Sequence, residues 1–303
     1  MPHLHHVAWG VSHSAFLTLI LVFAALTYLR GWLFLRSNSL KVSSWRAFSF
    51  FVGLFLIWGA VASPLAALDH ELLTIHMLQH LLLMTLAPPL IWLGLPVGPL
   101  LYGLPQRSVE GPLDRWWHSR RATQFLKVLG RPKFAWLAAC AVLVGWHIPR
   151  FFALGMQSAL WHLAEHLSFL ATGVLFWWPV VKASAGAYRR DLSMILYLFF
   201  ATLPCDILSG FLVFSDRVVY PMYFSSSHML GFSPLVDQQC AAALMWTSVT
   251  IVYLVAGAVL TMRLLSPEGF SHRGFVQPKL ATPTARDAYR VSQSMEASIS
   301  LGQ

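Results

Sequence analysis

Seven long apolar stretches constrain this chain of 303 residues more than any other feature of its sequence. A helix needs about 20 mainly apolar residues to cross a bilayer, and the stretches approach that length at Ser14–Leu35, Phe48–Ser63, Leu72–Leu95, Phe134–Pro149, Ala159–Val181, Ser193–Phe214 and Cys240–Leu264. Hydrophobic residues make up 57% of the chain and charged residues only 11%, which excludes both an ordinary soluble domain and a disordered chain. The sequence therefore predicts an all-α polytopic membrane protein with seven transmembrane helices.

The distribution of positive charge predicts how these helices are oriented. Of the 21 Lys and Arg residues, 19 fall in alternate loops and in the C-terminal tail, and only Arg150 and Arg217 lie on the other side. Cytoplasmic loops carry most of the Lys and Arg in membrane proteins, so we expect the N-terminus outside and the C-terminus in the cytoplasm. The net charge of +9 thus reflects topology, and we expect no nucleic-acid partner.

Two parts of the chain differ in character. Residues 1–265 contain all seven stretches and form the predicted transmembrane domain, whereas residues 266–303 are polar and are predicted to form a mobile cytoplasmic tail.

The segment from Pro112 to Gly130 combines Trp and Phe with Arg and Lys. This pattern is typical of an amphipathic helix at a membrane surface, and we expect it on the cytoplasmic leaflet.

Two pairs of histidines give the clearest functional pattern. His76 and His80 lie four residues apart in the third apolar stretch, and His162 and His166 have the same spacing in the fifth. Residues four apart share one helix face, and both pairs fall in the outer half of their spans at similar depths. Because ionisable residues inside a bilayer are costly and mark functional sites, we expect the four imidazoles to converge on one metal ion.

Two further residues are candidates for the same site: His147 at the outer end of the fourth stretch, and Asp206 in the outer half of the sixth. A carboxylate near these outer ends, such as Asp69, could ligate the metal or orient an imidazole. Imidazole suits copper, zinc and iron, and nearby sulfur shifts the preference toward Cu(I). On the residues alone copper, zinc and iron are all possible ions; if the ion is copper, Cu(I) is favoured over Cu(II), and zinc is the main alternative to copper. Met77 and Met84 are interpreted as apolar packing residues.

Two other classes of function remain open on the residues alone. His162, Glu165 and His166 form an H-x-x-E-H motif, the inverted zinc-protease pattern in which the glutamate acts as general base. An intramembrane zinc-dependent hydrolase is therefore one alternative. The same four histidines could instead be axial ligands of haem in a membrane electron carrier, which is the other alternative.

Short motifs rich in histidine, proline and tryptophan are spread along the chain. They are Ser63-Pro64, His76-Met77-Leu78-Gln79-His80, Ala87-Pro88-Pro89, Trp146-His147-Ile148-Pro149, His162 with Glu165-His166, Phe176-Trp177-Trp178-Pro179, and Asp237-Gln238-Gln239 with Met245-Trp246. As a set, from about residue 50 to residue 262, they resemble the seven-helix CtaG family of bacterial cytochrome c oxidase assembly factors.

The resemblance implies a multi-pass protein of the bacterial plasma (inner) membrane that acts as an assembly factor and not as an enzyme. It implies a metallochaperone role, in which the protein helps to place copper in the haem–copper centre of cytochrome c oxidase. The expected partners are then the copper-bearing subunit of the oxidase, a periplasmic copper donor and the lipid bilayer. A metal site near the outer face, as the two histidine pairs predict, agrees with this role.

Overall fold

The computed structural model describes residues 2–38, 43–105, 119, 128–184, 192–224, 231 and 233–265, with side chains from Ser14 onward. Every regular element in these ranges is helical. The α-helices are α1 (Pro2–Ser37), α2 (Ser44–Val61), α3 (Leu73–Leu81), α4 (Ala87–Leu93), α5 (Val97–Gly103), α6 (Pro132–His147), α7 (Pro149–Gln157), α8 (Ala159–Ser184), α9 (Ser193–Val213) and α10 (Pro234–Leu265). Short 3-10 helices cover Pro64–Leu68 and Pro221–Phe224, and a π-helical turn covers Leu82–Leu86.

Six helical segments are long and apolar enough to cross a membrane: Ser14–Ser37, Ser44–Leu68, Leu73–Leu93, Ala159–Ser184, Ser193–Val213 and Pro234–Leu265. A seventh span results if the bent pair formed by α6 and α7 counts as one. The helical, multi-pass architecture is thus confirmed for the described part of the chain, whereas the seventh span and the orientation stay predictions. The predicted tail at 266–303, and most of the predicted surface helix at 112–130, lie outside the described residues.

The third span is interrupted by a π-helical turn between α3 and α4. Pro88 and Pro89 have no backbone N–H and cannot donate to the carbonyls one turn earlier. The Ala87 amide instead donates to the Leu82 carbonyl, five residues back. The Met84 carbonyl, which Pro88 leaves without its helical donor, accepts a hydrogen bond from Trp177 Nε1 at 3.2 Å. A π-turn of this kind is frequent at functional sites, and here it begins two residues after His80.

The fourth predicted span ends earlier and more sharply than the sequence indicated. Ile148 precedes Pro149 and has an extended conformation, with φ −66° and ψ 126°, because the residue before proline is disfavoured in the α region. Helix α6 therefore stops at His147, and α7 continues at an angle of 77° to it. The corner leaves His147 at the tip of α6 and turns α7 across the end of the bundle.

Helices α3, α4 and α8 form the centre of the bundle. In the span Leu73–Leu93 half of the residues are buried (50%), against 17% in the span of α1. Helix α10 packs along α3 and α9, α2 along α4, and α1 along α5. Large apolar side chains of the surrounding helices, such as Phe23 of α1 and Phe211 of α9, point outward. Such a surface suits lipid, and polar side chains can be held only in the centre.

We expect the end of the bundle that carries the histidine pairs to lie outside the cell. Because of the 19-to-2 division of Lys and Arg, a cysteine introduced at Asp216 should react with a membrane-impermeant maleimide in intact cells. A cysteine introduced at Arg120 should react only after the membrane is opened. The measurement requires a background in which the exposed Cys240 is replaced. Labelling at position 120 but not at position 216 would reverse the orientation.

Candidate metal centre

The two predicted histidine pairs meet between α3 and α8. The ring centroids of His76 and His80 are 4.4 Å apart, and those of His162 and His166 are 4.3 Å apart. Across the two helices, His76 lies 5.6 Å from His162, and His80 lies 5.8 Å from His166. We refer to these four residues with His147, Asp69 and Glu165 as the histidine cluster. The predicted convergence of the two pairs is therefore present in the structure.

Glu165 lies at the middle of the cluster. Its Oε1 is 3.5 Å from Nε2 of His76 and 3.4 Å from Nε2 of His80. Ligand atoms of these three residues lie within 4.8 Å of one another, which is close enough for one ion to reach all three. Both His76 and Glu165 are fully buried, with 0% of their surface exposed. Neither has a hydrogen-bond partner for its side-chain polar atoms in the described part of the chain.

Asp69 forms a second group of ligand atoms with His76 and His162. Its Oδ2 is 3.5 Å from Nε2 of His162, and again the three residues offer atoms within 4.8 Å of one another. Gln79 donates from Nε2 to Asp69 Oδ2 at 3.2 Å, and this bond fixes the carboxylate. His76 belongs to both groups, so the two groups form one continuous set of donors.

His147 approaches the cluster from the tip of α6. Its Nδ1 is 2.7 Å from the carbonyl oxygen of Leu143, and a carbonyl can only accept, so neutral His147 carries its proton on Nδ1. The lone pair then resides on Nε2, which is buried and has no partner among the described residues. Its ring lies 6.3 Å from that of His80. A histidine whose second nitrogen is held in this way is prepared to bind a metal.

Asp206, the remaining predicted ligand, lies on α9 and is half-buried. Its Oδ1 is buried without a hydrogen-bond partner, but it pairs with none of these histidines in the part of the chain that the structure describes. The carboxylates beside the histidines are instead Asp69 and Glu165. Spacing could have identified Glu165, because it lies three residues after His162 and so on the same helix face. Asp69 follows a 3-10 helix, and no periodicity predicts its position.

Helix α7 covers the cluster at the end of the bundle. The Phe152 ring packs edge-on against His76, with 5.0 Å between centroids. Gly155 of the same helix lies so close to Glu165 that a Cβ at this position would be 2.5 Å from Oε2. Only glycine therefore lets α7 approach the carboxylate. The cover shields most of the cluster from water, whereas the His162 side chain keeps 16% of its surface exposed.

Two tyrosines hold this cover in place. Tyr220 donates its hydroxyl hydrogen to the His147 carbonyl at 3.0 Å, and Tyr223 donates to the Asp69 carbonyl at 2.8 Å. Burial raises the pKa of both phenols, and the nearby Glu165 carboxylate adds to the shift. Both hydroxyls thus stay protonated and remain donors at any physiological pH. Both tyrosines belong to the segment between α9 and α10, so this segment closes the site together with α7.

Asp237 of α10 fixes the start of α3. Its carboxylate accepts hydrogen bonds from the backbone amides of Leu73 at 2.7 Å and Thr74 at 3.1 Å, and from the Thr74 hydroxyl at 2.6 Å. The first amides of a helix lack partners within the helix, and a negative charge there is favourable. A distant side chain therefore provides the cap that α3 lacks locally. The cap sets the position of His76 less than one turn later.

Replacement of Asp237 by alanine is expected to destabilise the protein. Two buried amides would lose their acceptor, at a cost of about 1–3 kcal/mol. The midpoint of thermal unfolding in detergent should fall. The midpoint of the Asp237→Asn variant should fall less, because the amide oxygen of asparagine still accepts a hydrogen bond. Asp216→Ala, at an exposed position, is the matched control and should leave the midpoint unchanged. Equal midpoints for Asp237→Ala and the unmodified protein would show that the cap contributes nothing.

The donor set determines what the cluster can bind. Five imidazoles and two carboxylates lie together, and their polar atoms are largely without protein partners. Imidazole and carboxylate suit divalent zinc, copper or iron. The carboxylates add harder donors to the site than the four histidines alone provide. Metal binding is the chemistry that this donor set supports directly.

The chain matches one protein-family model. Residues 26–266 match the model described as cytochrome c oxidase caa3 assembly factor. The matched range extends from within α1 to the end of α10 and includes every residue of the histidine cluster. No match to the chain is found among curated proteins or among solved structures.

Proposed function

Since the chain belongs to the family of cytochrome c oxidase caa3 assembly factors, we propose that it binds copper in the histidine cluster and assists the insertion of this copper into the haem–copper centre of the oxidase. The partner that receives the ion is the copper-bearing subunit of the oxidase, and a periplasmic copper donor supplies it. The membrane is the bacterial plasma membrane, with the cluster near its outer face. The protein acts as an assembly factor and not as an enzyme.

The environment of Glu165 is the observation that carries the proposal. A buried carboxylate without hydrogen bonds is costly, and it is stabilised by a proton or by a cation. Glu165 has no hydrogen-bond donor among the described residues, and its Oε1 lies 3.5 Å from Nε2 of His76 and 3.4 Å from Nε2 of His80. A metal ion between these three residues would satisfy the carboxylate and both imidazoles together. The fit of the donor groups to an ion thus supports metal binding.

The role of copper carrier fits the cover over the cluster. A delivery protein must hold its ion away from water and other ligands and must release it on contact with a partner. Helix α7 and the segment with Tyr220 and Tyr223 cover most of the cluster at one end of the bundle. A partner that displaces this cover would expose the ion. An oxidase subunit in the same membrane can dock at that end, which supports transfer from protein to protein.

Metal analysis of the purified protein tests this proposal most directly. The protein should be isolated in detergent, and its copper, zinc and iron contents should be measured together with its visible spectrum. We expect copper at a stoichiometry of about one or two ions per chain, from the two overlapping groups of ligand atoms. Copper without a Soret band supports the proposal, a Soret band would indicate haem, and stoichiometric zinc without copper would contradict it.

A zinc-dependent hydrolase is the second candidate, because Glu165 of the H-x-x-E-H motif does lie at the metal-binding atoms. In such an enzyme the glutamate activates a water molecule and does not ligate the metal. The two candidates therefore differ at this residue. Glu165→Gln should lower metal affinity if the carboxylate is a ligand of a transported ion. Unchanged metal content would instead favour a role as general base.

The haem alternative receives less support from the geometry. The histidine rings are 4.3–5.8 Å from one another in a compact group. The adjoining cavity has a volume of about 40 Å³, whereas cofactor pockets measure at least about 300 Å³. A macrocycle would have to displace several central side chains.

A further inference from the structure

A small cavity adjoins the histidine cluster on the side toward the middle of the membrane span. Its volume is about 40 Å³, and it lies among α3, α6, α8, α9 and α10. His80 and His147 form part of its wall. Both side chains are at least nine-tenths buried, and both have an Nε2 atom without a hydrogen-bond partner in the described ranges. Two members of the histidine cluster are thus also members of the cavity wall.

Sulfur atoms are concentrated around this cavity. Of the 10 methionines and three cysteines of the chain, the wall contains Met77, Met84, Met245, Cys140 and Cys205. These five residues come from α3, the π-helical turn, α6, α9 and α10, and they meet only in the folded bundle. The sequence analysis interprets Met77 and Met84 as packing residues, and buried methionine and cysteine often have that role. In this bundle, however, they line a cavity beside two imidazoles whose Nε2 atoms are unpartnered in the described part of the chain, an arrangement that also suits a soft metal ion.

We propose that this cavity is a second metal site, specific for a soft monovalent ion such as Cu(I), and that it exchanges the ion with the histidine cluster through His80 and His147. The inference rests on the proposed copper function and assigns the oxidation state within it. Thioether and thiol donors select Cu(I), whereas imidazole with carboxylate suits divalent ions. The two neighbouring sites therefore differ in the class of ion that each holds best.

The dimensions of the cavity agree with a single ion. About 10–15 Å³ of such volume holds one water molecule, so 40 Å³ accommodates an ion with small movements of the surrounding side chains. Methionine has three rotatable bonds and adapts its sulfur position readily. The wall contains Ala139, Ala201 and Val249 in addition to the sulfur residues. Apolar and sulfur-containing side chains make up most of the wall, and a soft ion would find several ligands there.

The test compares soft and divalent ions on the full-length protein in detergent. The redox-stable Ag⁺ ion serves as the probe for Cu(I), and Zn²⁺ serves as the probe for the histidine cluster. A variant with Met77→Leu, Met84→Leu, Met245→Leu, Cys140→Ala and Cys205→Ala keeps the volume and apolar character of the wall close to the original. We expect its affinity for Ag⁺ to fall at least about tenfold, with its affinity for Zn²⁺ unchanged. X-ray absorption of the Ag⁺-loaded unmodified protein should show sulfur neighbours.

A matched control removes the same residue types elsewhere. Met194 and Met222 do not line the cavity, and Cys240 is exposed, so Met194→Leu, Met222→Leu and Cys240→Ala together should keep full Ag⁺ affinity. If the fivefold variant does not fold, the pairs Met84→Leu with Met245→Leu and Cys140→Ala with Cys205→Ala should each weaken Ag⁺ binding. Unchanged Ag⁺ affinity, or nitrogen and oxygen neighbours alone, overturns the second site and leaves the proposed copper function intact. Failure of the unmodified protein to bind either ion overturns both.

Discussion

Replacement of both His76 and His80 by alanine is expected to abolish most copper binding by the purified protein. His76 contributes to both groups of ligand atoms, and His80 lies beside Glu165 and at the wall of the sulfur-lined cavity. Without the two imidazoles, an ion near Glu165 and Asp69 would have two fewer neutral donors. The copper content after dialysis should therefore fall to a small fraction of that in the unmodified protein.

Two control substitutions distinguish the loss of a metal ligand from a general effect of replacing a histidine. His70→Ala removes a half-exposed imidazole beside the cluster, with its Nε2 at 3.7 Å from Asp69 Oδ1 and its ring 5.5 Å from that of His162. His118→Ala removes a histidine that the sequence places in a cytoplasmic loop. Both should retain copper. A His76→Ala, His80→Ala protein that elutes as a folded species and still carries its full copper content would exclude the cluster as the binding site.

Deletion of the gene from its native host is expected to produce an oxidase without the copper of its binuclear centre. The oxidase polypeptide and its haem should still be made, because the protein is proposed to supply only the ion. Oxygen consumption by the oxidase should then be lost almost completely. Copper content, haem spectrum and activity of the purified oxidase, measured side by side, identify which step fails.

Excess copper in the medium distinguishes delivery from other assembly roles. If the protein raises the local supply of copper, a high external concentration should restore part of the oxidase activity in the deletion strain. Complementation by the His76→Ala, His80→Ala variant should fail at ordinary copper concentrations. A deletion strain with a fully copper-loaded, active oxidase under every growth condition would leave the proposal without support and would favour the hydrolase.

The sequence predicted the centre of the site because its geometry follows from local periodicity. The spacing of four residues in each histidine pair fixes one helix face, and the cost of a buried imidazole indicates that the faces meet. No long-range information was needed for that step. The family was also recognisable from the motifs that contain His76, His80 and His147, and the match over residues 26–266 confirms it.

Other parts of the site depend on tertiary contacts that no local pattern specifies. Asp69 joins the cluster because a 3-10 helix and Gln79 place it there. Asp206 has the same sequence character, a carboxylate in the outer half of a span, yet it pairs with none of the histidines in the described residues. The direction in which a carboxylate on α9 points depends on the rotation of the whole helix, and an apolar sequence leaves that rotation undetermined.

The proline motifs could be recognised in the sequence, but their effects on the backbone became visible only in the structure. Pro88 and Pro149 were visible as parts of motifs, but their effects lie in the backbone. One produces the π-turn after His80, and the other produces the corner after His147. Both effects follow from the missing N–H and from the restricted residue before proline. The size of the bend, however, also depends on how α7 packs, with Phe152 against His76 and Gly155 against Glu165.

The cap that Asp237 places on α3 has a consequence for the biogenesis of the protein. The carboxylate and the Leu73 amide are 164 residues apart in sequence, and α10 is the last of the described helices to be synthesised. During synthesis, α3 enters the membrane with its first amides unsatisfied, and the position of His76 and His80 is fixed only when α10 inserts beside it. Loading of the proposed copper site would thereby be deferred until α10 has been translated. A nascent or truncated chain that ends before Asp237 carries all the cluster residues but lacks the contact that aligns them.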